Sequence, residues 1–104
     1  VLLRIVKMEF HPSNLKAFDD LFARFHERIQ SMPGCLQVCL LEGHRDESVR
    51  TTLSWWEEEA HLEAYRRSEL FGEVWPKTKV MFSTPPVAWS VEWPEDEPFS
   101  IAAK

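Results

Sequence analysis

The chain has 104 residues, enough for one domain, and a formal net charge of −5 with no Lys/Arg run, which leaves nucleic-acid binding without electrostatic support. Hydrophobic residues make up 44% and charged residues 28%, an ordinary globular balance, but five Trp is a high count at this length and points to aromatic interfaces or a ligand pocket. The longest uncharged run, 29–41, has 13 residues and is broken by Pro33 and Gly34, so it cannot span a bilayer. Val1-Leu2-Leu3-Arg4 has neither a basic region before its apolar residues nor a small-residue cleavage site, so no signal peptide is read and a cytoplasmic location is expected.

Residues 2–10 alternate loosely, Leu3 and Ile5 one way and Val6, Met8 and Phe10 the other, which predicts a strand covered in part on both faces. His11-Pro12-Ser13-Asn14 stops it, and Ser13 or Asn14 is placed to cap the first helix. Leu15, Phe18, Leu21, Phe22, Phe25 and Ile29 recur at helical spacing, with Lys16, Asp19, Asp20, Arg24, Glu27 and Arg28 on the other side, and Pro33-Gly34 ends this helix. Residues 35–42 form a short apolar strand, 43–48 a polar loop, and 49–56 a second strand. The loop is too short for a crossover, so the two strands pair as an antiparallel hairpin.

Glu57-Glu58-Glu59 suits the first turn of a helix, where carboxylates complement the dipole. That helix carries Ala60, Leu62, Tyr65 and Arg66 and pauses at Ser68, a cap for a second piece with Leu70, Phe71, Val74, Trp75, Thr78, Met81 and Phe82 on its apolar side. Pro76 lacks an N–H and is expected to kink or restart it. Thr84-Pro85-Pro86 stops it, and Val87, Trp89, Val91 and Trp93 alternate with Ala88, Ser90 and Glu92 as a last strand. Residues 94–104 are an acidic, proline-containing tail after a domain at 1–93.

Cys35 and Cys39 fall on one predicted strand, where four steps put them roughly 13 Å apart. A disulfide needs Cα atoms within about 7 Å, so both are expected as free thiols. Their C-x3-C spacing, with no His or further Cys at zinc-site distance, favours packing over metal binding.

The order strand–helix–strand, strand–helix–strand predicts an α+β, ferredoxin-like βαββαβ fold with a four-stranded antiparallel sheet and helices on one side. The other sheet face is left bare, and Trp55 or Trp56, Trp89 and Trp93 supply apolar area there. A second copy of the chain covers it if two sheets pair into a dimeric α/β barrel. A homodimer is therefore expected, with the tail, which carries Phe99 and Ile101, either lying across the partner or staying mobile.

The run from Ser54-Trp55-Trp56-Glu57 through Ala60-His61-Leu62 and Tyr65 to Ser68-Glu69-Leu70-Phe71 resembles the signature of the antibiotic biosynthesis monooxygenase family, a strand ending in an aromatic plus Glu, a helix, then Ser with Phe three residues on. Pro33-Gly34-Cys35 resembles that family's turn between the first helix and the second strand, and Trp75-Pro76 and the Phe82 region also fit. The resemblance spans 2–93. It implies a dimeric α/β barrel with a pocket between sheet and helices, and a range of activities. Some relatives oxidise quinols or polycyclic phenols with O2 and no cofactor, some degrade haem, and others act on small signalling molecules or have no known activity. Many relatives carry His where Tyr65 and Leu70 stand. The haem-degrading branch has an Asn on strand one and a His late in the second helical region, and neither is present here.

Several residues are candidates for chemistry. His26 and His61 border apolar helix faces and can serve as a general base or a hydrogen-bond partner, because an imidazole titrates near neutrality; a structural role is the competing reading. Tyr65 joins them as a candidate catalytic group. Trp55 and Trp56 point to opposite faces of a regular strand, one into the helix-side pocket and the other into the barrel. Trp75 and Phe71 can close that pocket, and Arg4 can offer a cation to a phenolate. His11 and His44 sit in predicted loops.

The expectation is a cofactor-independent oxygenase acting on a small aromatic hydroxyl compound, with catalytic candidates His61, Tyr65 and His26 and binding candidates Trp55, Trp56, Trp75, Phe71 and Arg4. The alternative is a non-catalytic small-molecule-binding or accessory protein, and the third is a haem-degrading enzyme. No metal, nucleic-acid or membrane partner is expected.

Overall fold

In the computed structural model, which describes residues 1–98, the elements are β1 (Leu2–Glu9), α1 (Leu15–Gln30), β2 (Cys35–Glu42), β3 (Val49–Trp56), α2 (Glu59–Arg66), α3 (Glu69–Lys79) and β4 (Val87–Glu92). The sheet order is β2-β3-β1-β4, with every neighbouring pair antiparallel. This is the ferredoxin-like α+β arrangement: each half contributes one central and one edge strand, and the helices pack on a single face.

The amphipathic stripe of α1 makes the helix-side core. Leu21, Phe25 and Ile29 pack against Val38 of β2 and Leu70 of α3, while Phe18 joins Met8 and Phe10. Arg50 of β3 ties the sheet to α1. Its Nε and Nη2 donate to the two carboxylate oxygens of Asp19 at 3.0 and 3.1 Å, and its Nη1 donates to the carbonyls of Glu47 and Val49.

Several local expectations change. Neither Ser13 nor Asn14 caps α1 with its side chain, because Pro12–Asn14 forms a 3-10 turn first and Asn14 Nδ2 donates instead to the Met81 carbonyl at 3.2 Å. Of the three glutamates, only Glu59 lies inside α2; the Glu57 N–H is taken by the Gly34 carbonyl at 2.9 Å. Ser68 caps α3 as its position predicts, its hydroxyl accepting from the Phe71 N–H. Pro76 neither ends nor restarts α3. The carbonyl deprived of a partner is that of Gly72, an exposed residue with no side chain, so water can satisfy it.

β2 carries a β-bulge: Cys35 stands opposite Trp56 and Gln37 opposite Trp55, so Leu36 is extra. The bulge turns Cys35 toward the helix-side core, whereas Cys39 packs with Leu3 and Trp55 on the other face. Both cysteines are free thiols.

On the face away from the helices, Trp55 is fully buried under its own chain. Trp93 lies just past the end of β4 rather than within it; its backbone N–H donates to the Val1 carbonyl, and its ring meets Trp55 edge-on at 5.6 Å. The rest of this face stays open, with Val87 57%, Trp89 42%, Val91 39% and Leu41 39% exposed. The positions expected for Phe99 and Ile101 lie outside the described residues.

Candidate functional site

Between the sheet and the helices is a cavity of about 290 Å³. Its floor is the helix-side face of the strands: Arg4, Val6 and Met8 of β1, Thr52, Ser54 and Trp56 of β3, and Ala88 of β4. Its walls come from Phe18 and Phe22 of α1, Leu62, Tyr65 and Arg66 of α2, and Phe71, Val74, Trp75 and Thr78 of α3. The size sits at the small end of the ~300–1,000 Å³ usual for ligand sites, and the lining is mostly apolar with a few polar groups, as such sites require.

One wall is a run of touching rings. Tyr65 stacks on Trp56 with centroids 5.4 Å apart, Phe71 meets Tyr65 edge-on at 5.3 Å, and Trp75 stacks on Phe71 at 5.6 Å with planes inclined by only 15°. The run exists because α3 restarts at Ser68, which sets Phe71 and Trp75 one turn apart on the face that continues Tyr65. Trp56 is oriented by its indole N–H, which donates to Ser54 Oγ at 2.9 Å.

The electrostatics are simple. Burial pushes the Tyr65 phenol up to about 12, with the nearby Cys35 thiol adding to the shift. Tyr65 is therefore a hydrogen-bond donor throughout the neutral range, and its hydroxyl bonds no group among the described residues. Arg4 is held below its ordinary value by burial first and then by repulsion from Arg66, with Glu63 acting the other way. Arg66 has Glu63 as an ion-pair partner at 3.3 Å, whereas Arg4 pairs with no carboxylate among the described residues. Burial also raises the Cys35 thiol to about 11, so it stays protonated.

Of the residues singled out from the sequence, the cavity gathers Tyr65, Trp56, Trp75, Phe71 and Arg4. His26, His61 and Trp55 are not among its lining. The His26 Nε2 is 2.8 Å from the Val38 carbonyl, joining α1 to β2. His61 packs on the Gly34 turn, and its Nδ1 is buried without a partner among the described residues. Trp55 belongs to the opposite face of the sheet. Sequence reasoning passed over Ser54, Thr52 and Arg66. Ser54 was within reach, since strand alternation puts it on the same face as Trp56. Arg66 carried no signal beyond its place beside Tyr65.

The sequence model for antibiotic biosynthesis monooxygenases matches residues 2–75. The chain belongs to the antibiotic biosynthesis monooxygenase family. Solved structures share the fold of this family member. A conserved protein from Methanosarcina mazei is 21% identical with a TM-score of 0.82, over 88% of this chain and 91% of its own. A structure described as an antibiotic biosynthesis monooxygenase is 17% identical with a TM-score of 0.83, over 89% and 98%. A protein from Mycobacterium tuberculosis is 17% identical with a TM-score of 0.81, over 92% and 96%. No curated protein sequence is significantly similar to the chain. Among the described residues of this family member, no helix is long and apolar enough to cross a membrane, and no group of three His, Cys, Asp or Glu side chains is placed to hold a metal ion.

Proposed function

We propose that the cavity binds a small, flat aromatic hydroxyl compound and that the protein oxidises it with O2 without a cofactor. The run of touching rings from Trp56 through Tyr65 and Phe71 to Trp75 carries this reading, because it lines one side of the cavity with continuous aromatic surface suited to a planar apolar ligand. Tyr65, protonated to about 12, donates a hydrogen bond to the ligand oxygen. Arg4 supplies the positive charge that favours the ionised ligand. An ionised, electron-rich ring adds O2 at an activated carbon. Loss of hydroxide with that carbon's hydrogen leaves a carbonyl there, so one oxygen atom enters the product and the other leaves in water. Oxygen uptake over a panel of quinols and polycyclic phenols tests the reading, and a panel with no uptake above the buffer blank would sink it.

A second reading, a binding or accessory protein without turnover, is favoured by one observation. The cavity lining contains no His, Asp, Glu or Lys, so no side chain there is suited to removing a proton near neutrality. Ligand binding with unchanged ligand recovered after incubation in air supports it. The haem-degrading reading gains nothing from a lining that presents no imidazole to an iron.

The working form proposed is a homodimer joined through the open face of the sheet. Four of the five large hydrophobic residues left exposed among the described residues, Leu41, Val87, Trp89 and Val91, lie on that face, and contiguous apolar area of this kind marks an interface.

A further inference from the structure

The floor of the cavity holds an array of hydrogen-bond donors. Arg4 on β1 stands in register with Ser54 on β3, both in the cavity lining, and with Ser90 on β4, which is exposed beyond that lining. Arg4 Nη1 donates to Ser90 Oγ at 3.3 Å, and Trp56 Nε1 donates to Ser54 Oγ at 2.9 Å. Both serine oxygens already accept, which leaves each hydroxyl its proton to give. The guanidinium has further N–H donors and nothing to accept with. Arg66 adds a second cation to the lining, and its charge is met by Glu63. The charge left over is that of Arg4.

A neutral phenol answers this row poorly, since it has one oxygen and, before ionisation, no charge. A planar group with two acceptor oxygens and one negative charge matches both the donor fork and the charge. We propose that the ligand of this cavity carries a carboxylate on its aromatic ring, held by Arg4 and the hydroxyl of Ser54, with Ser90 accepting from the guanidinium outside the lining, while the ring lies along the aromatic wall. The inference rests on the aromatic-ligand reading above and narrows it to aromatic hydroxy acids. It also gives Arg4 a partner in the ground state rather than only after the ligand ionises.

Calorimetric titration of the full chain with a matched set, 3-hydroxy-2-naphthoate, its methyl ester and 2-naphthol, tests the inference without any demand for turnover. The acid is expected to bind about tenfold more tightly than the ester or the naphthol, the value of one good charge-assisted contact. That preference should shrink as salt rises. Arg4→Gln should bring acid and ester within about twofold, and Ser54→Ala should narrow the gap by a smaller factor. Wild-type protein that binds the ester or the naphthol as tightly as the acid overturns the inference, whatever the variants do. So does a full acid preference in a folded Arg4→Gln protein. Oxygen uptake on the same compounds separates the two proposals. Uptake with neutral phenols and no acid preference overturns only the carboxylate inference. Acid preference without uptake supports it and overturns the oxygenase reading.

Discussion

Tyr65 lies almost flat against Trp56, with ring centroids 5.4 Å apart and planes inclined by 25°. The contact joins α2 to the last residue of β3 and keeps the phenol at the cavity wall in a poorly solvated setting. Its partner in the stack needs only the ring; the proposed ligand takes the hydroxyl's hydrogen bond. Tyr65→Phe should therefore leave the melting behaviour within about 1 kcal/mol of wild type. Turnover of an accepted phenol should fall on the order of tenfold or more, with less change in KM. Steady-state oxygen uptake read beside a denaturant melt separates the two effects.

The same residue predicts an alkaline signature. Tyr65 is the single Tyr of the chain, so the near-ultraviolet absorbance of phenolate reports it alone. Its midpoint in the folded protein should lie near 12 rather than the ordinary 10.0. The unfolded chain gives up this proton first, so the folded state binds more protons between the two values. The contribution to stability is complete below pH 10 and is lost as pH rises through about 12. Denaturant melts across that window should show a steeper loss for wild type than for Tyr65→Phe.

Gly34 has a φ of +79°, and a methyl group on it would run into the His61 ring. Gly34→Ala should cost about 2 kcal/mol or more, combining backbone strain with overpacking. His61→Ala in the same chain should return part of that loss, and a double-mutant cycle on denaturant midpoints measures the coupling. No coupling would remove the contact from the account of this turn.

Arg50 is only 8% exposed along its side chain and bonds both oxygens of Asp19. Arg50→Ala should destabilise by about 2–3 kcal/mol, since a bidentate charged pair and two carbonyl contacts are lost together. Arg50→Lys should recover less than half, because an ammonium cannot reproduce the fork. Urea midpoints at constant slope give the comparison.

For assembly, light scattering should give about twice the 12.2 kDa chain mass. Trp89→Glu puts a charge in the middle of the exposed apolar face and should shift the protein to monomer without unfolding it, as judged by circular dichroism. A wild-type monomer at all concentrations would defeat the paired-sheet proposal.

Much of the fold was legible because its signals are local. The spacing from Leu15 to Ile29 announces α1, Ser68 announces the start of α3, and the short polar loop forces β2 and β3 into a hairpin. The bulge at Leu36 was not legible, since one added residue inside an apolar run alters no pattern that a single strand displays. The site divides in the same way. Trp56, Phe71 and Trp75 could be anticipated from alternation and helical spacing. His26 and His61 sit at stripe boundaries, where a turn of a few tens of degrees decides between cavity, carbonyl and glycine turn. The row Ser54–Arg4–Ser90 depends on the register of three strands far apart in sequence, which no local pattern encodes.

The bulge also decides what oxidation can do to this protein. In an unbroken strand, residues four apart look out from the same side, and Cys35 and Cys39 would share one environment. With Leu36 inserted, the thickness of the sheet stands between the two sulfur atoms. Cys35 packs against the helix-side core, and Cys39 packs with Leu3 and Trp55 on the other face. Burial raises the pKa of both thiols, so each is held in its protonated form, in its own environment, and the two cannot close a disulfide across the sheet.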